Sequence, residues 1–345
     1  MRTEFFLGAN SAEGFYSLYD EYCREKGGFL HLIKGGPGGG KSGFMRKIGE
    51  KAENLGYDVE YIRCSGDPES LDAVYIKDLS ICYVDATSPH VLEPTVFGTK
   101  CDYVNLGQFC AVCCDEKIEN YTQLYKDAYR SAYSYLSAAN SVNNAEIRGL
   151  YDDSAVCKLN FRAENTFRRE LGNGKDGGGK TFYRFIRGIS CSGQIIMSTA
   201  LSALCKQIYS LDDRFGLEQL YFDALHQYPT AHDRIVCPSP LDPKKTDAVL
   251  FPENSLAFVS SSLLKNAAPY RHIRLDALTD YDAVRKCRGE IRHREALYRE
   301  LTDTAIYYLG RAKEYHDLLE NAYHPFIDFP ALTEFTESEI EKLFK

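Results

Sequence analysis

The sequence predicts an α/β protein of two tandem three-layer domains, each a mostly parallel sheet with a helical extension, produced by internal duplication. Three observations carry this. An apolar run, Leu30-His31-Leu32-Ile33, leads into a glycine-rich turn and then a helical spacing of Phe44, Met45 and Ile48. Strand-like words such as Tyr57–Arg63 and Leu79–Asp85 alternate with stretches of helical period. Words of the first half recur in order in the second: Asp67-Pro68 and Asp72-Ala73-Val74 return 175 positions on as Asp242-Pro243 and Asp247-Ala248-Val249.

The chain of 345 residues is 44% hydrophobic and 26% charged, enough to bury one large core or two ordinary ones. A formal charge of −8 argues against a general nucleic-acid coat. No apolar run spans a bilayer, and Met1-Arg2-Thr3-Glu4 opens no signal-peptide core. Twelve cysteines without an export signal point to reduced thiols and a cytoplasmic location.

In chain order, Phe5-Phe6-Leu7-Gly8 reads as a strand, and Ser11 as the cap of a helix carrying Phe15, Leu18, Tyr19 and Tyr22. The run Gly35-Gly36-Pro37-Gly38-Gly39-Gly40-Lys41-Ser42-Gly43 then satisfies the pattern G-x-x-x-x-G-K-[ST]. The chemistry calls for these residue types. Glycines let several backbone N–H groups curl around one phosphate chain, and the following helix aims its positive end at the same anion. Lys41 is expected to reach the β/γ-phosphates and the Ser42 hydroxyl to ligate Mg²⁺. The helix runs to about Leu55 and ends at Gly56. Cys64-Ser65-Gly66-Asp67-Pro68 is a loop at the C-terminal edge of a strand, where ligands sit in parallel sheets. Leu79–Asp85 is an apolar strand ending in an acid, the Walker B arrangement, which gives Asp85 a place in the Mg²⁺ shell. Ala86 follows where many ATPases carry Glu, so a hydrolytic base must come from elsewhere; Asp67, His90 and Glu93 are the nearby candidates.

From about Asp115 to Leu171 the pattern is helical, with a tyrosine-rich packing stripe that includes Tyr121, Tyr125 and Tyr135. Gly174 and Gly179-Lys180-Thr181 match the phosphate-loop pattern a second time. Here a helix precedes and a strand (Thr181–Ile186) follows, so the stretch reads as a linker. Arg162, Arg168, Arg169, Lys175, Lys180, Arg184 and Arg187 cluster at this junction. They read as a solvated face, with an arginine finger as the sharper alternative. Cys101, Cys110, Cys113 and Cys114 read as free thiols; zinc is the alternative, although their spacing does not make two separated pairs. Arg285 to Tyr323 is a long amphipathic helix, and Thr336-Glu337-Ser338-Glu339 reads as the capping box of a last short one.

The recurrence extends further. Cys82-Tyr83-Val84-Asp85 falls on Ala257-Phe258-Val259-Ser260, Phe5–Gly8 resembles Phe185–Gly188, and Asn105-Leu106-Gly107 resembles Arg274-Leu275-Asp276. Tyr125, Leu136 and Ala139 fall on Tyr298, Leu309 and Ala312. At the 175 offset Gly40-Lys41-Ser42 falls on Phe215-Gly216-Leu217 and the cradle on Ser210-Leu211-Asp212-Asp213-Arg214, whose acids repel phosphate. The expected division is a nucleotide-binding domain over 1–172, a flexible linker over 173–180 and a degenerate copy over 181–345.

Lys34–Ser42 and Asp85 resemble the P-loop NTPase superfamily. More closely, the strand ending at Gly8, the glycine-rich loop, Cys64–Pro68 and Asp85-Ala86-Thr87-Ser88-Pro89-His90 together are similar to an uncharacterised bacterial family of tandem P-loop ATPase-like proteins, in which both halves typically carry a P-loop. The resemblance implies two P-loop-type domains and ATP and Mg²⁺ as ligands. It implies Lys41 and Asp85 as catalytic residues, Gly35 to Gly43 as the nucleotide cradle, and Ser42 and Asp85 as metal ligands. The expected activity is ATP hydrolysis coupled to domain movement. The alternatives are phosphoryl transfer to a small molecule, which the missing Glu suits, or a non-catalytic nucleotide switch. A protein partner or small-molecule substrate is expected besides the nucleotide, without nucleic acid or membrane.

Overall fold

The computed structural model describes residues 1–25, 28–94, 96–112, 116–145, 147, 149–174, 177–264 and 268–345. The fold is α/β and holds two six-stranded, mostly parallel sheets. Contacts group the chain into two compact units. One is Met1–Leu136, Gly188–Ile195 and Asp303–Lys345; the other is Ser137–Arg187 and Ile196–Thr302.

The first unit's sheet is built from β1 (Arg2–Phe6), β4 (Phe29–Lys34), β5 (Val59–Arg63), β6 (Leu71–Ile76), β7 (Ile81–Asp85) and β8 (Cys101–Asn105). Their spatial order is β1-β5-β6-β7-β4-β8. Every pairing is parallel except the two made by β6, so all strands but β6 end at one edge. That edge carries the loop after β4, the loops after β5 and β7, and the first residues of β6. A hairpin of β2 (Gly8–Ser11) and β3 (Gly14–Ser17) precedes α1 (Tyr19–Glu25). The helix expected from Ser11 onward is therefore a hairpin followed by a shorter helix. The Ser11 hydroxyl closes the turn, accepting from Glu13 N at 3.1 Å and donating to Gly14 O at 2.7 Å, and Gly14 takes φ 104°.

One face of this sheet is covered by α2 (Lys41–Asn54), whose Phe44, Met45 and Ile48 are buried against Val59, Tyr61, Val74 and Tyr83. Gly49 lets the helix approach closely, because a Cβ there would lie 2.6 Å from the Tyr61 hydroxyl. The same core takes Leu332 of the last helix, and Phe335 stacks on Phe44.

The second unit repeats the plan. Its strands are β9 (Thr181–Tyr183), β12 (Gln207–Asp212), β13 (Arg234–Pro238), β14 (Thr246–Phe251), β15 (Leu256–Ser260) and β16 (Arg271–Arg274), in the order β16-β12-β15-β14-β13-β9. Only the pairings of β14 are antiparallel. Strand for strand this is the first sheet again. In chain order a second hairpin, β10 (Arg187–Ser190) with β11 (Gly193–Ile196), and α5 (Ser198–Leu204) follow β9, the hairpin's Gly188–Ile195 belonging to the first unit, and α6 (Leu217–Gln227) follows β12.

Each repeat closes with helices: α3 (Glu116–Asn143) and α4 (Asp153–Leu171) in the first, and α7 (Tyr281–Lys286), α8 (Arg288–Tyr323) and α9 (Phe329–Leu343) in the second. Two of these helices, α4 and α9, do not pack where chain order puts them. Leu159, Ala163 and Phe167 of α4 are buried with Tyr221 and Phe222 of α6 in the second unit, while α9 belongs to the first. The units thus depart from the sequential division at 172 and 181, since each is completed by the last helix of the opposite repeat. The last helix also begins earlier than expected: Asp328 caps it by accepting from Ala331 N at 3.0 Å, and Thr336 lies inside it, bonding back to Leu332 O. Among the described residues, no helix is long and apolar enough to cross a membrane.

Candidate nucleotide site

The glycine-rich turn leaves β4 and enters α2, the context its chemistry requires. Gly38 (φ 66°) and Gly40 (φ 77°) adopt the left-handed backbone that lets the loop curl, and Gly39 N bonds back to Gly36 O at 3.2 Å. Pro37 and Gly39 are half-buried; Gly36 and Gly43 are exposed. Lys41 folds over the loop, donating to Gly35 O at 3.1 Å and Gly36 O at 3.0 Å, and its Nζ lies 3.7 Å from Asp85 Oδ2. Strand pairing sets Ile33 beside Asp85, so the loop and the acid emerge side by side. Asp85 is held by Thr87, whose N (2.9 Å) and Oγ1 (2.6 Å) both donate to Oδ1. The Ser42 hydroxyl accepts from Leu71 N at 2.9 Å and keeps a further lone pair. A serine hydroxyl and a carboxylate beside a lysine are hard oxygen donors suited to Mg²⁺ together with a phosphate. The glycines leave room that side chains would fill: a Cβ on Gly40 would lie 2.6 Å from Leu332.

One contact was not legible in the sequence. Glu320, near the end of α8, accepts from Gly38 N at 3.1 Å, placing a carboxylate on a cradle N–H. His324 lies against Gly38 as well, with its ring 3.2 Å from where a Cβ would stand.

The three candidate bases separate. Asp67 holds the turn at Ser70 and pairs with Lys313 at 3.4 Å. Glu93 pairs with Lys34 at 3.4 Å and bonds to Tyr103. His90 is different. It is 6% exposed, its Nε2 faces Asp72 Oδ2 at 3.2 Å, and its Nδ1 is buried without a hydrogen-bond partner among the described residues. Asp72 also accepts from the Tyr19 hydroxyl at 2.7 Å. Burial alone would raise the Asp72 carboxyl, but the His90 charge and the bonds from His90 and Tyr19 outweigh it and hold it below the usual range. Burial alone would lower His90; Asp72, with Asp85 adding, lifts it above its ordinary value against the pull of Lys41.

The second repeat lacks the cradle, in a way that differs from the ungapped alignment. Leu211 pairs with Ser260 as Ile33 pairs with Asp85, and Gly216 (φ 90°) precedes α6 as Gly40 precedes α2. The loop is 213–216 where the first repeat has 35–40, so two residues are missing. Leu217 stands at the place of Lys41 and Glu218 at that of Ser42, while Ser210, Leu211 and Asp212 belong to β12. Asp213 accepts from Phe215 N (3.0 Å) and Glu218 N (2.9 Å), so a carboxylate of the chain itself occupies the helix N-terminus. Burial pushes Glu218 up to about 7.

The second glycine match lies between α4 and β9, not between a strand and a helix, and Lys180 is exposed. Arg168 pairs with Glu164, Arg169 with Glu170 and Arg187 with Asp247 within the second unit; Arg162 is exposed and Arg184 buried. Lys175 lies outside the described residues. So do Cys113 and Cys114, while Cys101 is buried and Cys110 half-buried. Comparison with protein-family models, with curated proteins and with solved structures finds no match to this chain.

Proposed function

We propose that the chain is a Mg²⁺-dependent ATP-binding protein of the P-loop type and a nucleoside-triphosphatase, with one working site and one degenerate copy. The observation that carries this is the turn from β4 into α2, with Lys41 Nζ 3.7 Å from Asp85 at the shared edge of a parallel sheet. The backbone N–H groups of Gly38 to Ser42 and the Lys41 ammonium bind and orient the phosphates. Ser42 and Asp85 would hold Mg²⁺, which neutralises charge developing on the transferred group. Phosphate binding displaces Glu320 from Gly38 N, so nucleotide occupancy is coupled to movement of the end of α8.

Ala86 in the place of the water-polarising Glu, together with the buried Asp72–His90 pair, favours a second reading in which the γ-phosphoryl group passes to a small molecule. Incubation with γ-labelled ATP separates the readings. Released phosphate supports hydrolysis, and a labelled small molecule supports transfer. Protein that binds no ATP in the presence of Mg²⁺ contradicts both.

A further inference from the structure

A cavity of about 420 Å³ lies in the first unit. Its walls come from Asn10 and Phe15 of the hairpin, the loop after β5, His90 in the loop after β7, and Tyr125, Tyr129 and Tyr133 of α3. The tyrosines recur every fourth residue, so one helix face supplies a continuous aromatic wall. Tyr125 reads in the sequence as part of a packing stripe; here all three line open space of a size suited to a small ligand. Strand direction puts this space on the same sheet edge as the phosphate loop, because β4, β5 and β7 all end there.

We propose that this cavity seats the acceptor of a phosphoryl transfer, a small molecule with a planar ring and a free hydroxyl, and that His90 is the base that takes the hydroxyl proton. The proposal rests on ATP binding at Lys41 and adds the substrate class. His90 lies between Phe15 (ring centroids 5.0 Å apart) and Tyr19 (4.3 Å), and Asp72 faces its Nε2. A carboxylate there keeps the proton on Nε2 and leaves Nδ1 as an acceptor. That Nδ1 is buried and has no partner among the described residues, which costs free energy until a donor arrives. A hydroxyl is such a donor, and the tyrosine wall offers a ring its stacking surface.

In the step itself, the acceptor O–H bond breaks and its proton passes to His90 Nδ1. The oxygen forms a bond to the γ-phosphorus as the bond from that phosphorus to the β–γ bridging oxygen breaks, and ADP leaves with the electron pair. Asp72 is a positioning residue. The charged groups that bear on His90 are Asp72, Asp85 and Lys41, and the first two lift its pKa. The base must be neutral, so the rate rises with pH through a value above 6.5, the ordinary histidine pKa.

The test uses the full chain with Mg²⁺, γ-labelled ATP, and thymidine, adenosine and pyridoxine as acceptor probes. Label is expected in at least one probe; label in free phosphate alone supports hydrolysis and overturns the acceptor assignment. His90→Asn is expected to slow its appearance about a hundredfold or more, with ATP affinity unchanged. Asp72→Asn is expected to move the rising limb of the pH–rate profile to lower pH, which a purely structural role would not do. Unchanged turnover in His90→Asn, or bound ATP with neither phosphate nor probe labelled, overturns the acceptor assignment and leaves nucleotide binding standing. Absence of ATP binding by the unmodified chain overturns the reading beneath it.

Discussion

Glu320 holds Gly38 N where a phosphate oxygen is expected, so a nucleotide must exchange one anion for another. A hydrogen bond to a charged group contributes about 1.5–3 kcal/mol. Part of that is lost each time the carboxylate is displaced. Glu320→Gln keeps the size and removes the charge; calorimetric titration is expected to show ATP binding about tenfold tighter. Weaker binding would mean that Glu320 assists the nucleotide. At this scale Lys41, Ser42 and Asp85 were legible because the loop is contiguous and the acid closes a recognisable strand. Glu320 was not, because 282 positions separate it from Gly38 and nothing local marks the meeting. Asp72 and His90 were visible singly, as a repeated word and a candidate base; only strand β6, which the sequence reading missed, brings them together.

The strand–loop–helix element depends on backbone shape. Gly40 sits at φ 77°, where an L side chain is strained, and a Cβ there would meet Leu332 of α9. Gly40→Ala is expected to cost about 1–3 kcal/mol in urea unfolding and to weaken ATP binding. Full stability with unaltered affinity would show that the loop tolerates another shape. Helix ends were the least legible feature. Ser11 looks like a helix cap but closes a hairpin turn, since Gly14 permits a reversal that a helix would not use. Thr336 looks like a cap but lies within α9, because Asp328 captures the helix N-terminus first. The context of the second glycine match was legible: β9, not a helix, follows Lys180.

Over the whole molecule the duplication was legible from word order, and the two sheets repeat strand for strand. The domain composition was not, because α4 and α9 each carry an apolar stripe that suits either sheet. The degenerate copy explains why an ungapped alignment misplaces its loop. With two residues gone, Asp213 caps α6, the counterpart of the helix that Lys41 opens, so a carboxylate of the chain itself takes that helix N-terminus. The central claim is that the loop before Lys41 binds Mg²⁺–ATP. Titration of ATP with Mg²⁺ into the unmodified chain, Lys41→Ala and Lys180→Ala tests it most directly. The account predicts binding by the first and third and none by the second; binding lost in Lys180→Ala and kept in Lys41→Ala would contradict it.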